Sequence, residues 1–247
     1  MSNTTSYVHN PLEGNKPELI INLNESVNEA ISVIIVHKDR PEYLNICLQS
    51  IAVNSANNSY EIIVVDNNSG PTTQSFLQDI ENDVKVVRNN KNLYWSAAIN
   101  AGIKAANPNT KYFIFMHSDV VILNPSWMDL FVNVCESNNS GMVGLETSSY
   151  YINSQKIDFI QEWCLMMTRS AITKVGNWPE QLPMIGHSFI MTVKAQIHGL
   201  KPQIMKNNMA HHYRIFGMDV NDYEKMSEEA ASLLPRIYQQ AQSRTLV

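Results

Sequence analysis

Four short runs of β-branched and aromatic residues, separated by helix-like segments, constrain the fold of this chain more than any other feature. The runs are ISVIIV from Ile31, YEIIVV from Tyr60, VKVV from Val84 and KYFIFM from Lys111. Runs of this kind predict strands buried on both faces. The segment PEYLNICLQSIAVNS begins with Pro41 and repeats apolar residues at helical spacing. The alternation predicts an α/β fold with a mainly parallel central sheet flanked by helices.

The second half of the chain is less regular. GMVGLETSS and KIDFIQEWCLMMTRS predict further strands, SAITKVGNW a short helix ending near Gly176, and SFIMTVKAQIHG a helix closed by Gly199. DYEKMSEEAASLLPRIYQQAQ predicts a terminal amphipathic helix with a bend at Pro235. We expect residues 1–29, rich in Asn, Ser and Glu, to form a flexible arm, and residues 30–247 to form a single domain.

The amino-acid composition does not identify a binding partner. The formal net charge of −5 gives no overall attraction to nucleic acid or an anionic membrane, although a local basic patch at Lys194, Lys201 and Lys206 stays open. No apolar run is long enough to span a bilayer and no secretory signal is visible, so we expect a cytoplasmic protein. The three widely spaced cysteines lack CxxC or CxxH spacing, which argues against a disulfide framework or structural zinc.

Polar residues follow three of the predicted strands where each strand ends. They are His37 to Arg40 after the first, Asp66 to Ser69 after the second, and His117 to Asp119 after the fourth. Ligands of open parallel sheets bind at the carboxyl ends of the strands. Burying a carboxylate without a partner costs roughly several kcal/mol. Asp119 should therefore face a cleft, a cation or a hydrogen-bond donor.

These segments resemble a known family. ISVIIVHKDRPEYLNICLQSI followed by YEIIVVDNNSG resembles the opening of family 2 glycosyltransferases, and NLYWSAAINAGI is similar to a segment of their rhamnosyltransferase-like branch. FMHSDVVILNPSW falls where relatives carry Leu-Asn-Pro-Asp or Asp-Xaa-Asp. The resemblance covers about Ile31 to Tyr213. It implies a GT-A fold with a nucleotide-binding half at about 30–125, an acceptor half at about 126–220 and a C-terminal helix at about 222–243.

The resemblance also implies a metal site at the end of the fourth strand. Asp119 matches the last Asp of the metal triplet and is the expected ligand of Mn²⁺ or Mg²⁺, the alternative being an Asp that caps a turn. His117 occupies the position of the first Asp or Asn, where its imidazole could bind the ribose, accept a proton or only fill space. AHHYR resembles a late metal contact, so His211, or failing it His212, is expected to join Asp119 on the ion.

Five further residues are implied neighbours of the nucleotide. Asp66 matches an acidic residue that lies beside the base or ribose, although it could simply stabilise the DNNSG turn. Asp39 stands where relatives usually have Asn, and His37 where Thr is common. Asn100 and Trp95 lie on the loop and helix that approach the donor in relatives, and Trp95 could equally belong to the core.

The pattern departs from the family at the general base. The family's Glu-Asp pair maps, without gaps from Gly176, onto His187 and Ser188. His187 could itself be the base, because its imidazole titrates near neutrality. Alternatively Glu162, which replaces a small residue beside the donor sugar, has taken the role, since a Glu in an apolar segment must be paired, protonated or functional. The third alternative is a chain that binds a sugar nucleotide and transfers nothing.

The hypothesis is an inverting, metal-dependent glycosyltransferase using a nucleotide-diphosphate sugar, by analogy a UDP- or dTDP-sugar. The acceptor is open among a glycan, a lipid-linked glycan, a protein, a small molecule or a modified nucleic acid, and a peripheral role at a membrane stays open with it. One rival is a catalytically silent sugar-nucleotide-binding protein. The other is a nucleotidyltransferase, which needs an early Gly-rich, basic phosphate loop that HKDRPEYL does not supply.

Overall fold

The computed structural model describes residues 31–55, 58–205, 208–215 and 220–243, and the predicted arm at 1–29 lies outside them. The strands are β1 (Ile31–His37), β2 (Tyr60–Asp66), β3 (Lys85–Arg88), β4 (Tyr112–His117), β5 (Val120–Ile122), β6 (Met142–Gly144), β7 (Thr147–Ile152), β8 (Gln155–Ile160), β9 (Cys164–Thr168), β10 (Gln203–Ile204) and β11 (Ala210–His212). The α-helices are α1 (Pro41–Asn54), α2 (Pro71–Ile80), α3 (Tyr94–Ala105), α4 (Trp127–Glu136), α5 (Arg169–Val175), α6 (His187–Ile197) and α7 (Val220–Ser243).

A seven-stranded sheet in the order β10-β6-β9-β4-β1-β2-β3 forms the centre of the molecule. β1 pairs in parallel with β2 and β4, and β2 pairs in parallel with β3. β9 alone runs antiparallel, between β4 and β6, among the strands of this sheet that the structure describes. The prediction of a mainly parallel sheet flanked by helices is confirmed.

Apolar layers cover both faces of this sheet, which explains the continuous apolar runs in β1, β2 and β4. Along β1, Val33 and Ile35 belong to the core under α1, α2 and α4, whereas Ile34 belongs to the core under α3, α5 and α6. At Gly102, α3 lies so close to the sheet that an added Cβ would stand 2.4 Å from Cγ2 of Ile34. A glycine is required there because any side chain would push the helix off the strand.

The C-terminal helix α7 packs on α6 and on the β7–β8 hairpin. Leu234 of α7 and Phe189 of α6 lie in the same buried cluster as Phe159 of β8. The helix continues through Pro235 to Ser243, so the proline does not end it. No helix in the described ranges is long and apolar enough to cross a membrane.

The prediction that glycines close α5 and α6 is confirmed. Gly176 follows α5 with φ 76°, and Gly199 follows α6 with φ 73°. This left-handed conformation carries little penalty for glycine, which has no Cβ.

Candidate active site

The carboxyl ends of β1, β2 and β4 meet at one edge of the sheet, because all three strands run parallel. Asp119 lies in the two-residue turn between β4 and β5. β11 pairs antiparallel with β5 and sets His212 opposite Val120. The pairing therefore brings a histidine more than ninety residues away in the sequence to the side of Asp119.

Three side chains, which we call the His-Asp-His trio, could hold a metal ion here: His117, Asp119 and His212. His212 Nε2 lies 3.2 Å from Asp119 Oδ1 and 3.3 Å from His117 Nδ1, and His117 Nδ1 lies 4.0 Å from the same carboxylate oxygen. The three side chains are between 12% and 24% exposed. Neutral imidazole nitrogens and a carboxylate oxygen are metal-binding atoms, and these converge on one point.

The electrostatics of the trio suit cation binding. Burial acts to raise the pKa of Asp119, but hydrogen bonds from His212 and from the backbone N–H of Ile215, at 2.8 Å, outweigh it and lower the pKa. Burial lowers the pKa of His117 to about 4. At neutral pH the carboxylate is therefore charged and the His117 imidazole neutral, the protonation states that a metal ion requires of its ligands.

The sequence favoured His211 over His212 as the late ligand, and the structure reverses that order. Successive residues of a strand point to opposite faces. His211 is exposed and makes an edge-on contact with the ring of Tyr213, at 5.0 Å between ring centres. His212 faces inward to Asp119.

Glu162 and His187, the two alternative bases, form a pair. Glu162 lies in the turn between β8 and β9, His187 is the first residue of α6, and their atoms Oε1 and Nε2 are 3.5 Å apart. Glu162 is 22% exposed and His187 1%. Burial acts to raise the pKa of Glu162, but the neighbouring His187, with lesser contributions that include Ser188, lowers it to about 2. Glu162 is therefore an ionised carboxylate at neutral pH.

Aromatic rings join this pair to the trio. Trp95 contacts the His117 ring edge-on at 4.6 Å and lies against His187 at 6.1 Å. Trp163 stacks on His212 at 5.1 Å, and Trp178 contacts His187 at 5.5 Å. Trp95 is thus both a core residue, 3% exposed, and the floor of the site. Trp163 and Trp178 are missing from the sequence-based set, because no motif separates them from ordinary core tryptophans.

His37 ends β1 and Asp39 lies on the turn that follows it, beside the site. His37 is buried, its Nδ1 lies 3.0 Å from Ser118 Oγ, and burial lowers its pKa to about 4. Asp39 adopts φ 55° and accepts a hydrogen bond from the N–H of Gly70 at 2.7 Å, which lowers its pKa. Its carboxylate is half exposed and reachable by a ligand.

The side chains of Asp66 and Asn100 make hydrogen bonds within the protein. Asp66 is fully buried and accepts hydrogen bonds from the backbone N–H of Ser69 at 3.2 Å and from Gln74 Nε2 at 2.6 Å. This arrangement corresponds to the alternative in which Asp66 stabilises its turn. Asn100 bonds to the backbone of Trp178 in both directions, at 3.0 Å each, and so fixes the segment that covers His187.

The segment after His212, residues 213–215, ties the site to its neighbours. The N–H groups of Tyr213 and Ile215 donate to the backbone oxygen and to Oδ2 of Asp119. Arg214 donates to both carboxylate oxygens of Glu146 at 2.8 Å, and Glu146 also accepts from Trp163 Nε1. This network was not foreseen, since it joins residues almost seventy positions apart.

A cavity of about 380 Å³ lies on the other side of Trp178. Asn100, Glu180, Lys194 and Ile237 are among its lining residues, and no member of the trio is. The cavity is therefore separate from the ionisable groups described above.

The fold and the site define the class of the protein: it has the GT-A fold of nucleotide-sugar-dependent glycosyltransferases. A sequence model of Glycosyl transferase family 2 matches residues 32–195, about two thirds of the chain. The chain belongs to this family. The matched region contains both predicted bases and two members of the trio but not His212.

Two curated proteins and one solved structure illustrate the similarity. The O-antigen biosynthesis protein RfbC of Myxococcus xanthus is 27% identical over 119 residues, which cover 46% of this chain and 9% of that protein. An uncharacterized glycosyltransferase of Haemophilus influenzae is 30% identical over 112 residues, 44% of this chain and 33% of that protein. The chain thus spans a third or less of either relative.

The solved structure is the mannosyltransferase PcManGT from Pyrobaculum calidifontis in complex with GDP-Man and Mn²⁺. It superposes with a TM-score of 0.59 at 12% identity, over 88% of this chain and 74% of that chain. At this identity the likeness shows the fold alone.

Proposed function

We propose that this protein is an inverting glycosyltransferase that moves a sugar from a nucleotide-diphosphate donor to an acceptor hydroxyl with the help of a divalent ion. The observation that carries the proposal is the proximity of an accessible carboxylate, Glu162, to the His-Asp-His trio at the carboxyl edge of the sheet. Family membership and the structural likeness to a mannosyltransferase that holds GDP-Man and Mn²⁺ support it.

The trio provides the donor's ion. His117 Nδ1, Asp119 Oδ1 and His212 Nε2 would hold it. When bound, the ion would supply positive charge that stabilises the departing diphosphate. The Ile215 N–H holds the other oxygen of Asp119, so Oδ1 is the oxygen directed at the ion.

Glu162 is the base in this proposal and His187 positions it. A general base must come within hydrogen-bond reach of the acceptor hydroxyl. Glu162 is 22% exposed, whereas His187 is 1% exposed behind Trp95 and Trp178. This difference in exposure supports Glu162 over His187 as the proposed base.

In the reaction, the acceptor oxygen attacks the anomeric carbon from the face opposite the diphosphate. The new C–O bond forms as the bond to the phosphate oxygen breaks, and the nucleoside diphosphate leaves with that electron pair. Glu162 takes the proton of the acceptor hydroxyl. One displacement of this kind inverts the anomeric configuration, and it needs a base that stays ionised, as Glu162 does.

The donor we propose is a UDP- or dTDP-sugar, and the acceptor a glycan, a lipid-linked glycan, a protein or a modified nucleic acid. We assign the reaction to the cytoplasm, at the membrane surface if the acceptor is lipid-linked. Asp39, with its half-exposed carboxylate, is the proposed contact to the nucleoside, and His37 supports the turn that presents it.

The test is hydrolysis and transfer of a panel of UDP-, dTDP- and GDP-sugars with Mn²⁺ and a broad acceptor extract. Wild type is compared with Asp119→Ala, Glu162→Gln and His187→Ala, and with His211→Ala as the matched control. We expect turnover by wild type and the control, none by Asp119→Ala, and a product of inverted configuration.

Donor binding without consumption by any of these proteins would favour the silent sugar-nucleotide-binding protein instead. The observation that favours this alternative is the replacement of the family's Glu-Asp pair by His187 and Ser188. Isothermal titration of UDP and of the intact donors with wild type distinguishes this outcome from a chain that binds no nucleotide at all.

A further inference from the structure

The trio has an unusual composition for a site expected to take Mg²⁺. Two of its three binding atoms are imidazole nitrogens, of His117 and His212, and one is a carboxylate oxygen. Mg²⁺ is a hard ion that is bound through oxygen and water, whereas imidazole suits later first-row ions such as Fe²⁺ and Zn²⁺. Affinity for nitrogen-containing sites rises from Mn²⁺ through Fe²⁺ to Co²⁺, so the binding atoms favour these later ions over Mg²⁺.

The spacing of these atoms is compatible with a shared ion. Ligands about 2.1 Å from a metal stand about 3.0 Å apart at right angles and about 3.4 Å apart at tetrahedral angles. The separations of 3.2 and 3.3 Å lie in that range, and the separation of 4.0 Å between His117 Nδ1 and Asp119 Oδ1 corresponds to a wider angle. Small side-chain movements suffice to bind an ion.

The surroundings hold both imidazoles in place without blocking these atoms. Trp163 stacks on the His212 ring, and Trp95 packs edge-on against the His117 ring. His212 Nδ1 is buried with no hydrogen-bond partner among the described residues, so its Nε2 is the nitrogen that faces the trio. The rings are therefore fixed by packing, and their inward nitrogens are available.

We propose that the trio selects a first-row transition ion over Mg²⁺, and that His117 is the residue that sets this selectivity. A carboxylate at position 117 would supply oxygen in place of nitrogen, which favours Mg²⁺. The inference names the ion of the proposed glycosyltransferase site and rests on that function only for the role of the ion, because binding is measured without any sugar.

The test titrates Co²⁺, Mn²⁺, Zn²⁺ and Mg²⁺ separately into the full-length protein, with and without UDP. Visible absorption reports Co²⁺ coordination by nitrogen, and calorimetry reports the other ions. We expect Mn²⁺, Co²⁺ and Zn²⁺ to bind at one site, with Mg²⁺ at least about tenfold weaker than Co²⁺. His211→Ala, which removes the neighbouring exposed imidazole, should bind as wild type does.

His117→Asp should move the ratio of Mg²⁺ to Co²⁺ affinity at least about tenfold toward Mg²⁺ and weaken the Co²⁺ absorption. Thermal unfolding confirms that this variant folds; if it does not, competition of Mg²⁺ against bound Co²⁺ in wild type decides. Equal affinity of wild type for Mg²⁺ and Co²⁺, or no binding of any transition ion, overturns the proposal.

The two proposals fail separately. Equal affinity for Mg²⁺ and Co²⁺ in a protein that transfers sugar contradicts the selectivity and leaves the transferase function intact. Selective Co²⁺ binding in a protein that consumes no nucleotide sugar contradicts the function and leaves the ion site intact.

Discussion

Replacement of Glu162 by Gln is the most informative single change in this protein. It keeps the size of the side chain and removes the charge that faces His187 at 3.5 Å. If Glu162 is the general base, the rate of transfer should fall by about 10²- to 10⁴-fold, while donor affinity stays within about twofold because the trio is untouched. A rate constant that falls without a change in donor binding is the signature of a lost proton acceptor.

The same change should lower stability in a pH-dependent way. The pKa of Glu162 is lowered from 4.5 to about 2 in the fold, and at about 1.36 kcal/mol per pKa unit this corresponds to stabilisation of order 3 kcal/mol. Because the folded pKa is the lower one, this stabilisation is present above the unfolded pKa and is lost as pH falls from about 4.5 toward 2. The stability difference between wild type and Glu162→Gln should therefore shrink across that window.

Single-turnover transfer, donor titration and urea unfolding at several pH values measure the three quantities. Glu224→Gln, which removes an exposed carboxylate of α7, is the matched control. His187→Ala should raise the pKa of Glu162 and move the acid limb of the rate profile to higher pH, as expected of a positioning residue. A Glu162→Gln variant that transfers sugar within about threefold of wild type would refute the assignment.

Three further changes test other parts of the structure. Asp66→Asn should lower the free energy of unfolding by about 1–3 kcal/mol in urea titrations, because its new amide would face the Gln74 amide; a loss confined to donor binding would instead indicate a nucleotide contact. Gly102→Ala should cost about 1–3 kcal/mol by the same measurement through its clash with Ile34, whereas Gly70→Ala, with no contact under 3.6 Å, should be nearly neutral. As pH falls from 6.5 to about 4, a histidine whose pKa is lowered in the fold reduces the free energy of unfolding by up to about 1.4 kcal/mol per pH unit, because the unfolded chain binds the proton first. His37→Gln should therefore flatten the pH dependence of the free energy of unfolding in this window. An unchanged slope contradicts the buried neutral state of His37.

The fold could be predicted where buried apolar residues form continuous runs or recur at helical spacing along the sequence. β1, β2 and β4 are recognisable because both of their faces are covered, so that consecutive positions are apolar over most of each strand. Gly176 and Gly199 mark helix ends because the left-handed conformation there favours glycine. Family membership followed from the same segments and is confirmed.

The candidate site was foreseen in its location and only partly in its membership. The ends of parallel strands point to the edge of the sheet where Asp119 lies, so the location follows from topology. The partners of Asp119 depend on long-range pairing, which adjacent residues in AHHYR do not reveal. Asp66, by contrast, matched the motif, and its carboxylate accepts hydrogen bonds from Ser69 of its own turn and from Gln74 of α2.

The sequence by itself determined the alternation of the first strands and helices, the α/β class and the family, because periodic burial and turn chemistry are local properties of the chain. Only the tertiary structure decided that His212 rather than His211 faces Asp119, since the register of β11 on β5 selects which side of the strand points inward. It also decided that Glu162 is partly exposed while His187 lies buried against tryptophans. Access and proximity depend on packing between segments distant in sequence, and no local pattern encodes that packing.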